Sequence, residues 1–424
     1  MVIKQINIYI ITYFLEFEVY GMAINKALEM AGNMFNYENP CCDCKVTTNY
    51  TEDGVEVHSI QLKTTEYFYK YAYAPIDGLV MIDNKTGSII EKNKVIEDFL
   101  NIDLSNANKI KEFINTYGFF MPLPTDGKYR IFNHVELGNL LYRYKILVHL
   151  MSAIEEDSID YDRVLGLTTY LLFAYPRRVT LNQNDEGICS CVHAFTDIWY
   201  KIDDLPNLDG NMINGFTNDP YDDFYPIPDS FTKKEEKLGV IDYHEDVEEV
   251  DPHTAYSDRL FKAKITKLYR DGFVVDMDIN ARYVIDYFYN LLKIGVKIDD
   301  INESGKIKKS EKLNGYAKFD EHFKSQLIQI AKITIKEEFD FELYGIHPTY
   351  NIENMSPNWE IPNFFTALYF ALFYTRPDYE VYRKCANPNC NRLFKVKTTN
   401  SRKQYHDTAC QNATAQMRHR KPKG

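Results

Sequence analysis

The sequence predicts an α+β protein. It has a strand-containing N-terminal part, a mainly α-helical body after residue 100, and a small metal-organised module at the C-terminus. Three observations carry that class. Residues 55–90 alternate β-branched and aromatic side chains with polar ones around turn signals. Five segments between residues 135 and 374 repeat apolar residues at helical spacing. The last 44 residues place three cysteines and a histidine at metal-ligand spacing. The expected division is an α+β part over 1–100, a helical part over 101–201, an acidic linker or loop over 202–258, a second helical part over 259–380, and the metal module with a basic tail over 381–424.

Residues 6–20 are dense in β-branched and aromatic side chains and suit a strand or a buried helix, with a helix continuing over 21–35. Residues 39–44, Asn-Pro-Cys-Cys-Asp-Cys, read as a turn. Residues 55–73 read as strands entered through an Asp53-Gly54 hairpin turn. Residues 79–90 form the clearest hairpin, two apolar runs around Asn84-Lys85-Thr86-Gly87. A helix within 101–119 stops at Tyr117-Gly118, because glycine terminates a helix readily. Helices follow over 135–155 and 163–174, the second ended by Pro176. Further on, 273–279 suits a strand, and 280–292, 319–335 and 360–374 suit helices. Phe323, Leu327, Ile330 and Ile333 mark the apolar stripe of the second of these. Pro362 falls in the first turn expected for the third, and Pro377 lies beyond its end.

Charge is unevenly spread. The 424 residues carry 49 basic and 61 acidic side chains, a net charge of −12. From Val381 onward there are eleven Lys and Arg and one acid, about +10, so the first 380 residues carry 38 against 60, about −22. Residues 202–251 alone hold fifteen acids, three lysines and four prolines, the composition of a solvated loop. A basic terminus on an acidic body fits an anionic partner for the tail, or a tail that folds against its own body. The 8 cysteines are clustered at short spacings in a long chain without a secretory leader pattern, which does not suit a disulfide framework. No run of uncharged apolar residues is long enough to span a bilayer, and the expected location is cytoplasmic, with no membrane partner.

The tail states its chemistry most clearly. Cys385 and Cys390 are separated by four residues, Cys390 and His406 by fifteen, and His406 and Cys410 by three. Zinc takes four N or S ligands tetrahedrally, and paired ligands must come from tight turns or one helix face. Ala-Asn-Pro-Asn between the first two cysteines suits a knuckle. Residues 392–405 read as two short strands with a turn over 398–402. His406 and Cys410, four apart, share one face if helical, with Asp407 and Thr408 at the helix start. Knuckle, hairpin and helix in that order is the layout of a treble-clef finger holding Zn2+ through Cys385, Cys390, His406 and Cys410.

Cys189, Cys191 and His193 are a second place with ligand chemistry, which Cys41 and Cys44 would complete if the segments met; burial of free cysteines on strands is the alternative. Cys191 and His193 are also a conceivable nucleophile pair. No Walker A loop, Gly-x-Gly-x-x-Gly, His-Glu-x-x-His or Gly-x-Ser-x-Gly is present, and no catalytic residue is assigned. His134 and Glu136 fit helix capping.

The tail resembles the CGNR-type zinc finger, found at the C-terminus of many bacterial proteins of poorly defined function, some proposed as transcriptional regulators. The resemblance rests on Cys385, Cys390, Phe394, Arg402, Tyr405, the run His406-Asp407-Thr408-Ala409-Cys410-Gln411-Asn412, and Arg418 and Arg420. His406 stands where the family has its third cysteine. Gln411 and Ala413 replace the Gly and Arg of the name-giving tetrapeptide, and Asn412 is retained. Two functions are expected. One is nucleic-acid binding of a regulatory kind: Lys395, Lys397, Arg402, Lys403, Arg418 and Arg420 meet phosphates, while Gln411 and Asn412 read base edges. The other is a non-enzymatic interaction or scaffold protein with a structural zinc site and an acidic protein partner.

Overall fold

In the computed structural model the described residues are 35–420, apart from 51–53, 55, 75–77, 83–88, 92–94, 157, 177, 181–186, 201–255, 272–276, 302–306, 310–311, 353–354, 375–379, 391 and 398–402. The element expected over 6–20, all but the last residue of the helix expected over 21–35, the 84–87 turn, most of the acidic linker and the 398–402 turn therefore lie outside them; Phe35 itself is strand.

The N-terminal part is an antiparallel sheet built on one long strand. β1 (Phe35–Tyr50) and β2 (Glu56–Ala74) form the hairpin, with Gly54 at a φ of 76° in the connection. The other edge of β2 carries β5 (Arg130–Asn133) along residues 59–62 and β3 (Gly78–Ile82) along residues 70–74. β4 (Ile89–Glu91) closes the sheet on β3.

The turn expected at 39–44 is instead part of β1. Pairing with β2 overrides the local turn preference, because Cys42 and Cys44 oppose Thr64 and Leu62 in a continuous ladder. The turn signal survives as a bulge between Pro40 and Cys42, where a proline costs no ladder bond.

Two short helices, α1 (Val95–Asn101) and α2 (Ala107–Tyr117), follow the sheet. α2 stops at Gly118 as expected, with φ 83° and ψ −179°. That conformation is open to glycine alone, and a Cβ there would meet Asn39 Nδ2 at 2.3 Å. Asn39 is buried and donates to the carbonyls of Tyr117 and Phe119 at 2.9 and 3.1 Å, which ties β1 to the end of α2.

The helical body contains α3 (His134–Ile154), α4 (Tyr161–Phe173), α5 (Ala194–Tyr200), α6 (Tyr256–Asp271), α7 (Ile279–Lys293), α8 (Glu321–Glu342) and α9 (Phe364–Phe373). Between them lie the short hairpins β6–β7 (Arg178–Thr180 and Gly187–Cys189), β8–β9 (Ile298–Ile301 and Ile307–Lys309) and β10–β11 (His347–Asn351 and Ser356–Glu360). Asn133, Asp160, Asp278, Asp320 and Asn363 each accept a first-turn backbone N–H through the side chain. Such caps satisfy donors that a helix start leaves unpaired.

These caps set three boundaries differently from the sequence pattern. Asn133 caps α3, and His134 instead donates through Nδ1 to the His58 carbonyl at 2.9 Å, fastening the helix to β2. Asp278 starts α7 at Ile279, so 277–279 is not strand. Asn363 starts α9 at Phe364, which places Pro362 ahead of the cap and Glu360 in β11. α6 begins at Tyr256, inside the expected linker.

One apolar cluster runs from Ile60 and Leu62 on β2 through Phe99, Tyr144 and Leu368 to Tyr382 and Leu393 near the C-terminus. Tyr144 lies at its centre, edge-on to Phe99 and Tyr369 at 5.0 and 4.9 Å. Among the described residues no helix is long and apolar enough to cross a membrane.

Candidate metal centre

The finger is built from β12 (Glu380–Lys384), β13 (Leu393–Lys397) and α10 (Thr408–Arg420). Its hairpin straddles the knuckle: Lys384 pairs with Leu393, and the Cys385 N–H extends the ladder to the Arg392 carbonyl at 2.9 Å. The strand expected after the hairpin turn is absent over the described residues 403–405, where the Gln404 carbonyl accepts from the Ala386 N–H at 2.9 Å. The knuckle closes by Cys390 N–H donating to the Asn387 carbonyl at 2.8 Å. Asp407 caps α10, its Oδ1 accepting from the Cys410 N–H at 2.7 Å. Cys410 is therefore in the first turn, whereas His406 lies in the bend before it rather than on the same helix face.

Cys385, Cys390, His406 and Cys410 each present one donor atom, and the four atoms lie within 4.8 Å of one another. His406 Nδ1 is 3.5 Å from Cys385 Sγ and 3.7 Å from Cys390 Sγ. Bonds of about 2.3 Å to sulfur and about 2.0–2.1 Å to nitrogen set a tetrahedral N···S edge of about 3.6 Å. The spacing therefore fits a zinc-sized ion.

The surrounding groups fit it too. His406 Nε2 faces Asp407 Oδ2 at 3.0 Å, which turns Nδ1 toward the three sulfurs. Asn387, read in sequence only as a turn residue, donates from Nδ2 to Cys410 Sγ at 3.2 Å. Burial opposes ionisation of Cys385, but hydrogen bonds from His406 and from backbone N–H groups outweigh it and bring the thiol down to about 7. The Asn387 amide lowers Cys410, yet burial and the neighbouring Cys390 and Cys385 sulfurs push it up to about 11. Three thiols this close repel as thiolates until a cation joins them. Among the described residues the apolar cluster beside them is Cys385, Phe394 and Val396, with Tyr405 against it, too little to hold the module alone.

This geometry and the sequence pattern agree on one family. Residues 382–423 match the family model of the CGNR zinc finger. The match covers the C-terminal module and not the body, and no curated protein and no solved structure matches the chain.

The CGNR finger is seated on the body, not tethered beside it. Tyr382 and Leu393 are buried in the main core. Asn101 brackets Leu393, donating to its carbonyl at 3.1 Å and accepting from its N–H at 3.2 Å. Glu97, one turn earlier on α1, accepts the Lys395 N–H at 3.0 Å. Together they cover a backbone edge of β13 that no strand among the described residues pairs.

The proposed nucleic-acid contacts divide accordingly. Lys395 and Lys403 line a 610 Å³ cleft opposite Glu97, Asp98, Asp103 and Glu112 of the body. Lys403 also lies over the Phe394 ring, 5.3 Å from its centroid. Lys397 ends β13, Arg420 ends α10, and Arg402 lies outside the described residues. Gln411, Asn412 and Arg418 are exposed on α10.

A second donor group sits in the body. Among the described residues, Cys41 and Cys44 share no metal-capable cluster with Cys189. Instead Cys191 and His193 meet Glu338 of α8, all three buried. Arg143 of α3 donates through Nε to Glu338 Oε1 at 2.7 Å and through Nη2 to the Leu171 carbonyl at 2.9 Å. Burial raises the Glu338 carboxyl, but Arg143 and His193 outweigh it and hold it below the usual range. Burial, reinforced by Glu338, holds the Glu342 carboxyl well above it. Burial pushes the Cys191 thiol far up, and Sγ donates to the Glu337 carbonyl at 3.6 Å. The missed partner had a sequence signal. Buried positions along α8 run Phe323, Leu327, Ile330, Thr334, Glu338, so a charge continues an apolar stripe.

Proposed function

We propose that the protein binds nucleic acid in a regulatory role, through the outward face of its C-terminal finger. Cys385, Cys390, His406 and Cys410 would hold Zn2+, which supplies no reaction here but replaces a core that the module lacks. The observation that carries this reading is the outer face of α10. Gln411, Asn412, Gln416 and Arg418 are exposed there, and no acidic side chain occurs from Thr408 to the end of the chain. Docking on the body uses the hairpin and leaves this helix outward. Arg and Lys at the helix end neutralise phosphates, and amide side chains on a helix suit base edges in a major groove.

The test is a salt titration of full-length protein against random duplex DNA and against RNA. If Arg418, Arg420, Lys421 and Lys423 contact phosphates, log K falls with log salt at a slope of about −3 to −4. Arg418→Ala with Arg420→Ala should make that slope shallower by about 2. Absent or salt-independent binding at low salt removes the proposal.

A second reading draws on the seating of the finger. Lys395 and Lys403 already face acids of the same chain. This favours a scaffold whose metal staples the terminus and whose remaining basic tail meets an acidic protein. That outcome follows if nucleic acid fails to bind while metal removal still unfolds the C-terminal part.

A further inference from the structure

The imidazole of His193 is held in place by a chain of polar side chains. His193 Nδ1 is 2.7 Å from Glu337 Oε2, and Glu337 Oε1 in turn accepts from Asn280 Nδ2 at 3.2 Å. A carboxylate on one ring nitrogen fixes the imidazole and aims the other, the arrangement that supports histidine ligands to metals. Nε2 is aimed at Glu338, 2.9 Å from Oε1. Donor atoms of Cys191, His193 and Glu338 lie within 4.8 Å of one another. Independently, Glu338 Oε2, Glu342 Oε1 and the Tyr369 hydroxyl are buried without a hydrogen-bond partner among the described residues. Buried oxygen atoms are rarely left so, and each one calls for an explanation.

We infer that Cys191, His193 and Glu338 form a second divalent-metal site inside the helical body, separate from the finger and suited to zinc. A thiolate, an imidazole and a carboxylate are all zinc donors, and three protein ligands leave a fourth position for water or a further oxygen. Glu342, one helical turn beyond Glu338, is placed on the same side of α8. Binding replaces the Cys191 S–H bond to the Glu337 carbonyl by a metal–sulfur bond, and the thiol proton leaves to solvent. Arg143 Nη2 gives up its 2.9 Å contact with His193 Nε2 and keeps the Leu171 carbonyl, while Arg143 Nε keeps Glu338 Oε1. Charge then balances: a divalent cation and Arg143 oppose the Cys191 thiolate, Glu337 and Glu338. Without the cation, a buried histidine must share Nε2 between an arginine and a carboxylate.

The experiment is metal content of the full chain. Purified protein is loaded with zinc, passed through a metal-free column, and its zinc-to-protein ratio measured. Two equivalents are expected. Cys191→Ser and Cys390→Ser should each remove one, and the double variant both. One equivalent in the unaltered chain, lost with Cys390→Ser and kept with Cys191→Ser, overturns the inference. One equivalent lost only with Cys191→Ser supports it and removes the finger site instead. Titration of the unaltered protein with Co(II) does not depend on a variant folding. Thiolate-to-cobalt absorption should grow in two phases ending at two equivalents, and a plateau at one refutes the second site.

Discussion

Asp407 does two jobs whose separate weights can be measured. Its Oδ2 is 3.0 Å from His406 Nε2, and its Oδ1 accepts the Cys410 N–H at 2.7 Å. The first contact orients a metal ligand, and loss of such a partner weakens metal binding about tenfold or more. The second starts the helix that carries Cys410, and loss of a helix-capping acceptor is worth about a further fivefold. Asp407→Asn keeps a capping oxygen but removes the negative charge facing the imidazole. Asp407→Ala removes both. Zinc affinity of full-length protein, measured by competition with a chromophoric chelator at constant pH, should therefore fall about tenfold for Asp407→Asn and about fiftyfold for Asp407→Ala. The order matters as much as the size. Asp407→Asn equal to the unaltered protein would refute the orienting role, and Asp407→Ala no weaker than Asp407→Asn would refute the capping role.

Three more outcomes are expected. Zinc affinity rises with pH, because binding expels thiol protons: with Cys410 up at about 11 and Cys385 down at about 7, at least one proton leaves between those values and at least two below pH 7. Chelator competition should accordingly show affinity falling about tenfold per unit down to pH 7 and about a hundredfold per unit below it; a pH-independent affinity contradicts the thiolate ligand set. Gly118→Ala places a Cβ 2.3 Å from Asn39 Nδ2 at a backbone conformation open only to glycine, and should lower stability by about 2–4 kcal/mol in a urea titration. Arg143→Met removes the arginine partner of a buried Glu338, leaving only His193 beside it, and should cost about 3–5 kcal/mol, whereas adding Glu338→Leu should recover much of it; a double variant as unstable as the sum of the singles argues against the pair.

The elements that were legible in the sequence are those set by near neighbours. Gly118 and Gly54 act through their own backbones, so the end of α2 and the β1–β2 connection follow from a few adjacent residues, whereas the Asn and Asp caps that set the helix starts were not read in advance. Cys385, Cys390, His406 and Cys410 were readable as a set because a metal ion demands fixed spacing from a short segment. Failures came where a distant partner decided. Residues 39–44 carry turn chemistry, yet the ladder to β2 extends them into strand. The hairpin of the finger straddles the knuckle because β12, in the segment before Cys385, is held in the main core by Tyr382.

The chain by itself determined an α+β protein with a basic, metal-ligating terminus, since composition, periodicity and ligand spacing are local properties. Only the tertiary structure decided where that terminus sits and which charges it leaves outward. Asn101 and Leu393 are 292 positions apart, and Cys191 meets Glu337 across 146. No window of sequence contains either contact. They exist because burying Phe99 and Leu100 of α1 with Leu393 of β13, and Leu327 and Ile330 of α8, in one core brings the adjoining polar groups together, and those groups must then find partners away from water.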